Sequence, residues 1–200
     1  MHENQKITAN DGCSKLQLLF ILLAVTILVA EAQVCSANWN PLPDTGQTIC
    51  YDTNGTEITC PVAKLPLFGQ DAQYHGAQPA YQDNGNETVT DKQSGLTWIK
   101  SSEDTQHTWQ DAISYCNKLD FAGLADWRLP DKFELESIVD YGKSYPAINE
   151  VFDCQRSFYW STTPHADNQE YAWSVYCYDG ADHWVHKTNN YFVRCVRTGQ

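Results

Sequence analysis

The sequence reads Ala122-Gly123-Leu124-Ala125-Asp126-Trp127-Arg128-Leu129-Pro130 in the region that decides its fold. Cys116 precedes this stretch, whereas Trp160-Ser161-Thr162 and Cys195 follow it. Its glycine and its proline are typical of a turn, and amphipathic patterns lie on both sides. We therefore interpret the stretch as the connection between two helices. We expect Trp127 to be a core side chain and Arg128 to bind a backbone or carboxylate partner through its fork of donors.

The helix before this turn is predicted to begin at Thr108, whose side chain can cap the first turn together with Asp111. A period of 3.6 residues then places five side chains on one buried face: Trp109, Ala112, Ile113, Cys116 and Leu119. The helix after the turn has Asp131 as its cap, and Glu134 completes a capping box. Its apolar stripe ends before Gly142 and consists of Phe133, Leu135, Ile138 and Val139.

Strands are predicted on both sides of the helices. Upstream, Thr88-Val89-Thr90 and Gly95-Leu96-Thr97-Trp98-Ile99 predict a short hairpin. Downstream, Asn, Asp and Gly turns separate four aromatic and β-branched runs: Phe158 to Thr162, Tyr171 to Tyr176, Asp182 to His186 and Tyr191 to Arg197. A hairpin, two helices and then an antiparallel sheet predict an α+β domain over residues 81–200.

Residues 1–37 are typical of an export signal. A polar leader precedes an almost unbroken apolar run from Leu16 to Ala30, which ends at the cleavage pattern Ala30-Glu31-Ala32. This run is shorter than the roughly 20 residues that span a bilayer, so membrane contact is expected only through an uncleaved signal. A second possible cut follows Ala37. The predicted location is secreted, periplasmic or at the cell surface.

The cysteine count favours cleavage after Ala37, which removes Cys13 and Cys35. Six cysteines then remain: Cys50, Cys60, Cys116, Cys154, Cys177 and Cys195. An even number suits an oxidising compartment, and since no Cys-x-x-Cys pair occurs, we expect disulfides rather than zinc. Residues 38–80 are rich in Pro, Gly, Asn, Asp and Gln, which predicts a loop-rich extension held by Cys50 and Cys60.

The charge of the chain argues against one class of partner. The 200 residues carry a formal net charge of −12. A charge of this size repels phosphate backbones and anionic polysaccharides at long range. Nucleic acid is therefore not an expected partner.

An ordered set of motifs resembles a known bacterial family. The set consists of Thr88-Val89-Thr90-Asp91, Ser94-Gly95-Leu96-Thr97-Trp98, Thr108-Trp109, Tyr115-Cys116, the Ala122 to Pro130 stretch with Glu134-Leu135, Tyr159-Trp160-Ser161-Thr162 and Val193-Arg194-Cys195-Val196-Arg197. These motifs lie between Tyr81 and Thr198 and are similar to the Lcl C-terminal domain, a family of largely unknown function named after a collagen-like adhesin.

The resemblance implies a C-type-lectin-like fold, in which two helices pack on a curved antiparallel sheet and the two ends of the domain are adjacent. It also implies two disulfides, Cys116 with Cys195 and Cys154 with Cys177. The chain departs from calcium-dependent lectins because it lacks Glu-Pro-Asn and Trp-Asn-Asp motifs. Sugar binding through a calcium ion is therefore not expected.

Aromatic residues are the first candidates for ligand contact, because their rings stack on sugars. Five tryptophans are predicted to be core: Trp98, Trp109, Trp127, Trp160 and Trp173. Tyr178 and Trp184 flank a turn and are predicted to be exposed. The predicted ligand-binding set on the loops of residues 163–170 and 178–190 consists of Tyr178, Asp179, Asp182, His183, Trp184, Asn189 and Asn190.

Other polar residues favour structural roles. His183 and His186 are three residues apart in a predicted strand and should point to opposite faces, which argues against a shared metal. His107 and His165 are isolated in polar segments and are expected to be solvated. An Asx-rich turn, rather than an EF-hand, is predicted for Asp83, Asn84, Asn86 and Asp91. No metal or cofactor is expected.

These patterns predict an exported binding or adhesion module with an unknown surface ligand, a glycan or a protein. We do not expect an enzyme, since no Gly-x-Ser-x-Gly motif occurs and the carboxylates suit helix caps. Two alternatives remain. One is an enzyme on a scaffold like the formylglycine-generating family, whose chemistry needs a reactive cysteine pair. The other is a structural component of an envelope assembly.

Overall fold

A computed structural model describes residues 44–198. The predicted export signal, with its two alternative cleavage sites, lies outside these residues, as do residues 38–43 of the predicted extension. The strands are β1 (Cys50–Tyr51), β2 (Glu57–Ile58), β3 (Tyr81–Asp83), β4 (Thr88–Asp91), β5 (Leu96–Ile99), β6 (Phe158–Pro164), β7 (Tyr171–Tyr176), β8 (Asp182–His186) and β9 (Val196–Thr198). The α-helices are α1 (Trp109–Lys118) and α2 (Lys132–Glu136).

The described chain is an α+β protein with antiparallel sheets, as predicted. One sheet pairs β1 with β2, a second has the order β3-β4-β5-β9, and a third has the order β6-β7-β8. The final strand β9 lies beside β5, so the beginning and the end of the domain meet in one sheet. Within residues 44–198, neither helix is long and apolar enough to cross a membrane.

The extension is held by a disulfide and by backbone contacts. Cys50 lies opposite Ile58 in the β1–β2 pair, and the Cys50–Cys60 disulfide closes this hairpin. The Asp52 carboxylate accepts hydrogen bonds from the backbone N–H groups of Asn54 and Thr56, both at 2.8 Å, which forms the turn. Further along the chain, the Tyr141 N–H donates to the carbonyl of residue 45 at 2.7 Å.

Both helices begin where their capping residues predict. The Thr108 side chain accepts a hydrogen bond from the Asp111 N–H at 3.3 Å, and Ala112 and Cys116 of α1 are buried. Asp131 and Glu134 form the expected capping box at the start of α2. Each side chain accepts from the backbone N–H of the other residue, at 2.8 and 2.9 Å. The caps follow from local sequence because their partners are only three residues apart.

The second helix is shorter than the sequence predicts, because it ends at Glu136 after one and a half turns. Leu135 is buried, whereas Phe133 is 76% exposed, so the prediction that Phe133 belongs to the buried stripe is wrong. Side chains two positions apart on a helix point in nearly opposite directions, so a short helix cannot bury both. Ile138 and Val139 are buried beyond the helix, in the segment that follows it.

The predicted last strand, Tyr191 to Arg197, is divided. Only Val196–Thr198 forms a strand, β9 of the β3-β4-β5-β9 sheet. Tyr191 makes a single bridge to His107, and Phe192 makes one to Tyr159. The buried Arg194 guanidinium donates to the carbonyl oxygens of residues 99, 100 and 153. Burial lowers the pKa of Arg194. The segment therefore crosses between two sheets rather than pairing along its whole length.

Two clusters of buried side chains form the core. The first includes Trp98, Leu135, Val139, Tyr159 and Val175, and the second includes Ala112, Cys116, Trp127, Trp160 and Cys195. The Cys116–Cys195 disulfide lies inside the second cluster, and the Cys154–Cys177 disulfide lies at the first. These two pairings are the ones that the family resemblance implies.

Candidate ligand-binding surfaces

The stretch around Trp127 belongs to the core. Trp127 is 2% exposed, and its indole N–H donates to the carbonyl oxygen of Leu124 at 3.0 Å. On either side of it, Asp126 accepts two hydrogen bonds from Arg197, at 2.6 and 2.9 Å. The N–H and the carbonyl of Arg128 pair with the backbone of residue 196. Asp126-Trp127-Arg128 therefore joins the last strand to the centre of the molecule. The predicted core role of Trp127 is confirmed.

The carboxylate partner of Arg128 is Glu134, which it binds with two hydrogen bonds of 2.6 and 2.5 Å. Partial burial raises the pKa of Glu134. The hydrogen bonds from Arg128 and from the Asp131 N–H lower it by a larger amount, so the pKa lies below its ordinary value. This pair therefore connects the turn to α2 as an ion pair at neutral pH.

The tryptophans separate into core and surface groups. Trp98, Trp127 and Trp160 are buried, as predicted. Trp109 and Trp173, which were also predicted to be core, are only partly buried. Trp184 is 53% exposed, which confirms its predicted surface position, whereas Tyr178, which is also predicted to be exposed, is partly buried. Trp184 lies in β8, so the β6-β7-β8 sheet carries an exposed tryptophan.

The two faces of this sheet carry different side chains. Successive residues of a strand point to opposite faces, so Tyr171, Trp173 and Val175 share one face of β7 while Ala172, Ser174 and Tyr176 share the other. Cross-strand pairing places Trp184 opposite Trp173 and His183 opposite Ser174. Trp184 and His183 therefore belong to opposite faces.

The first face carries what we call the Trp184 surface. It consists of Lys132, Phe133, His165, Tyr171, Trp173, Asp182, Trp184 and His186. The Trp184 ring lies 5.1 Å from the Tyr171 ring and 5.3 Å from the His165 ring, measured between centroids. Phe133 extends this surface from α2 and is mostly exposed. These contacts hold Trp184 from the sides and leave half of its surface open.

The charges of the Trp184 surface compensate one another. The Lys132 ammonium lies 4.7 Å from the centroid of the Trp173 ring. It also forms ion pairs with Glu136 at 2.6 Å and with Asp182 at 2.7 Å. Burial alone lowers the pKa of Lys132, but the two carboxylates reverse this effect and raise it. The surface therefore has no uncompensated cation at Lys132.

The second face carries what we call the Tyr178 surface. It consists of Tyr145, Arg156, Phe158, Tyr176, Tyr178 and His183. The Tyr145 and Tyr178 rings are 4.2 Å apart, and the Arg156 guanidinium lies 4.2 Å from the centroid of the Tyr178 ring. Phe158 contacts both Tyr176 and His183, at 4.8 and 5.3 Å between centroids. Tyr145 is 63% exposed.

The predicted ligand-binding residues therefore do not form one site. Asp182 and Trp184 lie on the Trp184 surface, whereas Tyr178 and His183 lie on the Tyr178 surface. Asp179 forms the intervening turn, where its carboxylate accepts the Ala181 N–H at 3.0 Å. The remaining two members lie after β8: Asn189, which donates to the Tyr191 hydroxyl at 3.3 Å, and the exposed Asn190. Asp182, His183 and Trp184 of this set lie in strand β8, which confirms the strand predicted for residues 182–186, so they do not lie in a loop.

Sequence reasoning missed Tyr145 and Arg156, which complete the Tyr178 surface. One signal could have found Arg156. The expected disulfide between Cys154 and Cys177 places the residues that follow each cysteine close together, and these include Arg156 and Tyr178. Tyr145 carries no comparable signal, because its neighbour in space is 33 positions away in the chain, and only the fold brings Tyr145 and Tyr178 together.

The histidines show one correct and one wrong prediction. His183 and His186 point to opposite faces of the sheet, as the strand spacing predicts. His107 and His165 are not isolated, however, since His107 stacks on Tyr115 and His165 packs against Trp173. Within residues 44–198, no group of three or more His, Cys, Asp or Glu side chains is arranged to hold a metal ion.

The Asx-rich segment forms turns, as predicted. The Asp83 carboxylate accepts the Gly85 N–H at 2.9 Å and pairs with Lys100 at 2.7 Å. The Asp91 carboxylate accepts the Gln93 N–H at 2.9 Å. The carboxylates thus serve local backbone and ion-pair contacts of the β3–β4 and β4–β5 turns.

These features define a disulfide-bonded α+β module with two exposed aromatic surfaces on one sheet. The profile of the Lcl C-terminal domain matches residues 87–197, which is more than half of the chain. The chain belongs to the Lcl C-terminal domain family, as its motifs indicate. No curated protein shows significant similarity to the chain.

Proposed function

We propose that this protein is an exported ligand-binding or adhesion module with a C-type-lectin-like fold. Three features support the fold. Two helices accompany antiparallel sheets, the first and last strands of the domain share one sheet, and a disulfide joins α1 to the segment before β9. The three disulfides are consistent with an oxidising compartment, which supports a secreted, periplasmic or cell-surface location.

The exposure of Trp184 carries the functional proposal. A tryptophan that is 53% exposed, yet flanked by Tyr171 and His165, offers a large ring surface with little conformational freedom to lose on binding. Aromatic rings of this kind stack on the C–H groups of sugars and pack against apolar side chains. We propose that the Trp184 surface is the main ligand-binding surface.

The ligand that suits this surface best is an uncharged glycan. Lys132 is already compensated by Glu136 and Asp182, so the surface offers no free cation to an acidic ligand. The net charge of −12 also disfavours polyanions at long range. The carboxylate oxygens of Asp182 remain partly exposed and can accept hydrogen bonds from sugar hydroxyls.

Glycan-array binding of the full chain tests the proposal, followed by titration with the best neutral oligosaccharide. We expect Trp184→Ala to weaken binding by at least about 1–2 kcal/mol, as for an anchor aromatic residue. Tyr74→Ala is the matched control, because Tyr74 is a 60% exposed aromatic residue of the extension. If Tyr74→Ala abolishes binding while Trp184→Ala does not, the site lies in the extension. If the wild type captures a protein that Trp184→Ala does not capture, the ligand of the Trp184 surface is a protein and not a glycan.

The enzyme alternative rests on a reactive cysteine pair. All six cysteines within residues 44–198 form disulfides, which weighs against it. A thiol titration of the folded protein tests this alternative, because a reactive pair in its reduced form would titrate without denaturant. The structural-component alternative predicts a stable complex with other envelope proteins and no loss of assembly in Trp184→Ala.

A further inference from the structure

Arg156 differs from the other arginines of the chain. The sequence contains four: Arg128, Arg156, Arg194 and Arg197. Arg128 and Arg197 form bidentate pairs with carboxylates, and Arg194 is buried among carbonyl oxygens. Arg156 is exposed and forms no ion pair with a carboxylate of residues 44–198. Its guanidinium contacts aromatic side chains instead.

The position of the Arg156 guanidinium is well defined. It stacks over the Tyr178 ring at 4.2 Å, and the Tyr145 ring packs against the same tyrosine. A hydrogen bond to the Tyr176 side chain is the main cause of the raised pKa of Arg156. The Tyr145 N–H donates to the Tyr178 carbonyl at 2.9 Å, which fixes the two tyrosine-bearing segments against each other. The guanidinium is therefore preorganised before any ligand arrives.

Asp153 lies three positions before Arg156 and Asp179 directly follows Tyr178, but both carboxylates accept hydrogen bonds from other groups. Asp179 accepts the Ala181 N–H, and Asp153 accepts the Ser101 hydroxyl. A guanidinium is a rigid fork of donors that matches the two oxygens of a carboxylate. Stacking on an aromatic ring leaves the edge of that fork accessible, so the N–H groups that do not bind Tyr176 can donate to a ligand. The arrangement thus offers one localised positive charge in a protein of net charge −12.

We propose that the Tyr178 surface binds the carboxylate of an acidic sugar, with Arg156 pairing with the carboxylate and the exposed Tyr145 ring stacking on the pyranose. A monocarboxylate fits better than a multiply charged phosphate or sulfate, because a single guanidinium cannot offset two charges against the repulsion of the whole protein. This site goes beyond the proposed neutral-glycan surface, since it lies on the opposite face of the same sheet.

The test uses the full ¹⁵N-labelled chain titrated with D-glucuronate, and with D-glucose as the neutral match, while NMR follows the backbone N–H resonances of Tyr145 and Tyr178, which remain in all the variants. We expect saturable shifts with glucuronate only. Arg156→Gln should raise the Kd for glucuronate at least about tenfold, as for a charge-assisted hydrogen bond. The matched control is Lys187→Gln, which removes another cation that stacks on an aromatic ring, 4.0 Å from the Trp109 centroid.

Three further arms separate the possible outcomes. Tyr145→Ala should weaken glucuronate binding and leave propionate binding unchanged, because only the sugar has a ring to stack. Equal affinity for propionate and glucuronate, tighter binding of phosphate or sulfate, or an equal loss in Lys187→Gln would overturn the proposal. Trp184→Ala should bind glucuronate like the wild type. The test thereby distinguishes an absence of glucuronate binding at Arg156 from an absence of neutral-glycan binding at Trp184.

Discussion

Replacement of Trp127 by alanine should destabilise the fold strongly. The side chain is 2% exposed, lies in the cluster that contains the Cys116–Cys195 disulfide, and packs edge-to-face on Phe121 at 6.4 Å. Truncation of a buried aromatic residue removes its transfer free energy and leaves a cavity, which together cost about 3–5 kcal/mol. The loss includes the hydrogen bond from the indole to the Leu124 carbonyl, worth about 1 kcal/mol.

Thermal unfolding with the disulfides intact measures this effect. For a domain of this size, each kcal/mol lowers Tm by about 2–4 °C, so Trp127→Ala should lower Tm by about 6–20 °C. Trp127→Phe should lose less, because it keeps a large ring and removes mainly the N–H donor. The decrease should also appear as a lower urea midpoint with an unchanged m value.

Trp184→Ala is the matched control, since it removes the same side chain from an exposed position. Its free energy of unfolding should change by less than about 1 kcal/mol. If Trp127→Ala keeps the wild-type Tm but loses ligand binding, Trp127 belongs to a binding site and the core assignment is wrong. A large destabilisation in Trp184→Ala would instead show that the Trp184 surface is a structural contact.

Three further predictions concern stability. Joint replacement of Cys116 and Cys195 by alanine opens a loop with a sequence separation of 79 and should lower the free energy of unfolding by about 4–5 kcal/mol, measured in urea. Because the folded pKa of Glu134 is lowered, its stabilisation is present above the unfolded pKa of about 4.3 and is lost as pH falls through the folded value. The free energies of unfolding of wild type and Glu134→Gln should therefore differ most at pH 7, and the difference should shrink as pH falls below about 4.3. Gly180→Ala places a Cβ 2.5 Å from Val139 Cγ1 at a φ of +78°, whereas a Cβ at Gly85, with a similar φ of +74°, meets open space. The Tm of Gly180→Ala should therefore lie well below that of Gly85→Ala. Equal melting of the two glycine variants would contradict the close approach.

The amino-acid sequence determined the features that depend on neighbours along the chain. The helix starts at Thr108 and Asp131 were predictable because each cap binds a backbone N–H three residues on. The strands β6, β7 and β8 were predictable from aromatic and β-branched runs between turns. The family motifs carried the long-range disulfide between Cys116 and Cys195, which no local pattern specifies.

Contacts between residues that are distant in the sequence depend on the tertiary fold. The predicted ligand-binding residues on β8 were divided because alternate side chains of a strand face opposite sides of the sheet, which places Trp184 and His183 apart. Arg156 became a site candidate through its stacking on Tyr178, a contact made across the Cys154–Cys177 bridge. Phe133 remained exposed because packing of Leu135 and the end of α2 at Glu136 set the orientation of the helix. Periodicity shows which side chains share a face, but burial of that face depends on what packs against it, and such contacts arise only when the whole chain has folded.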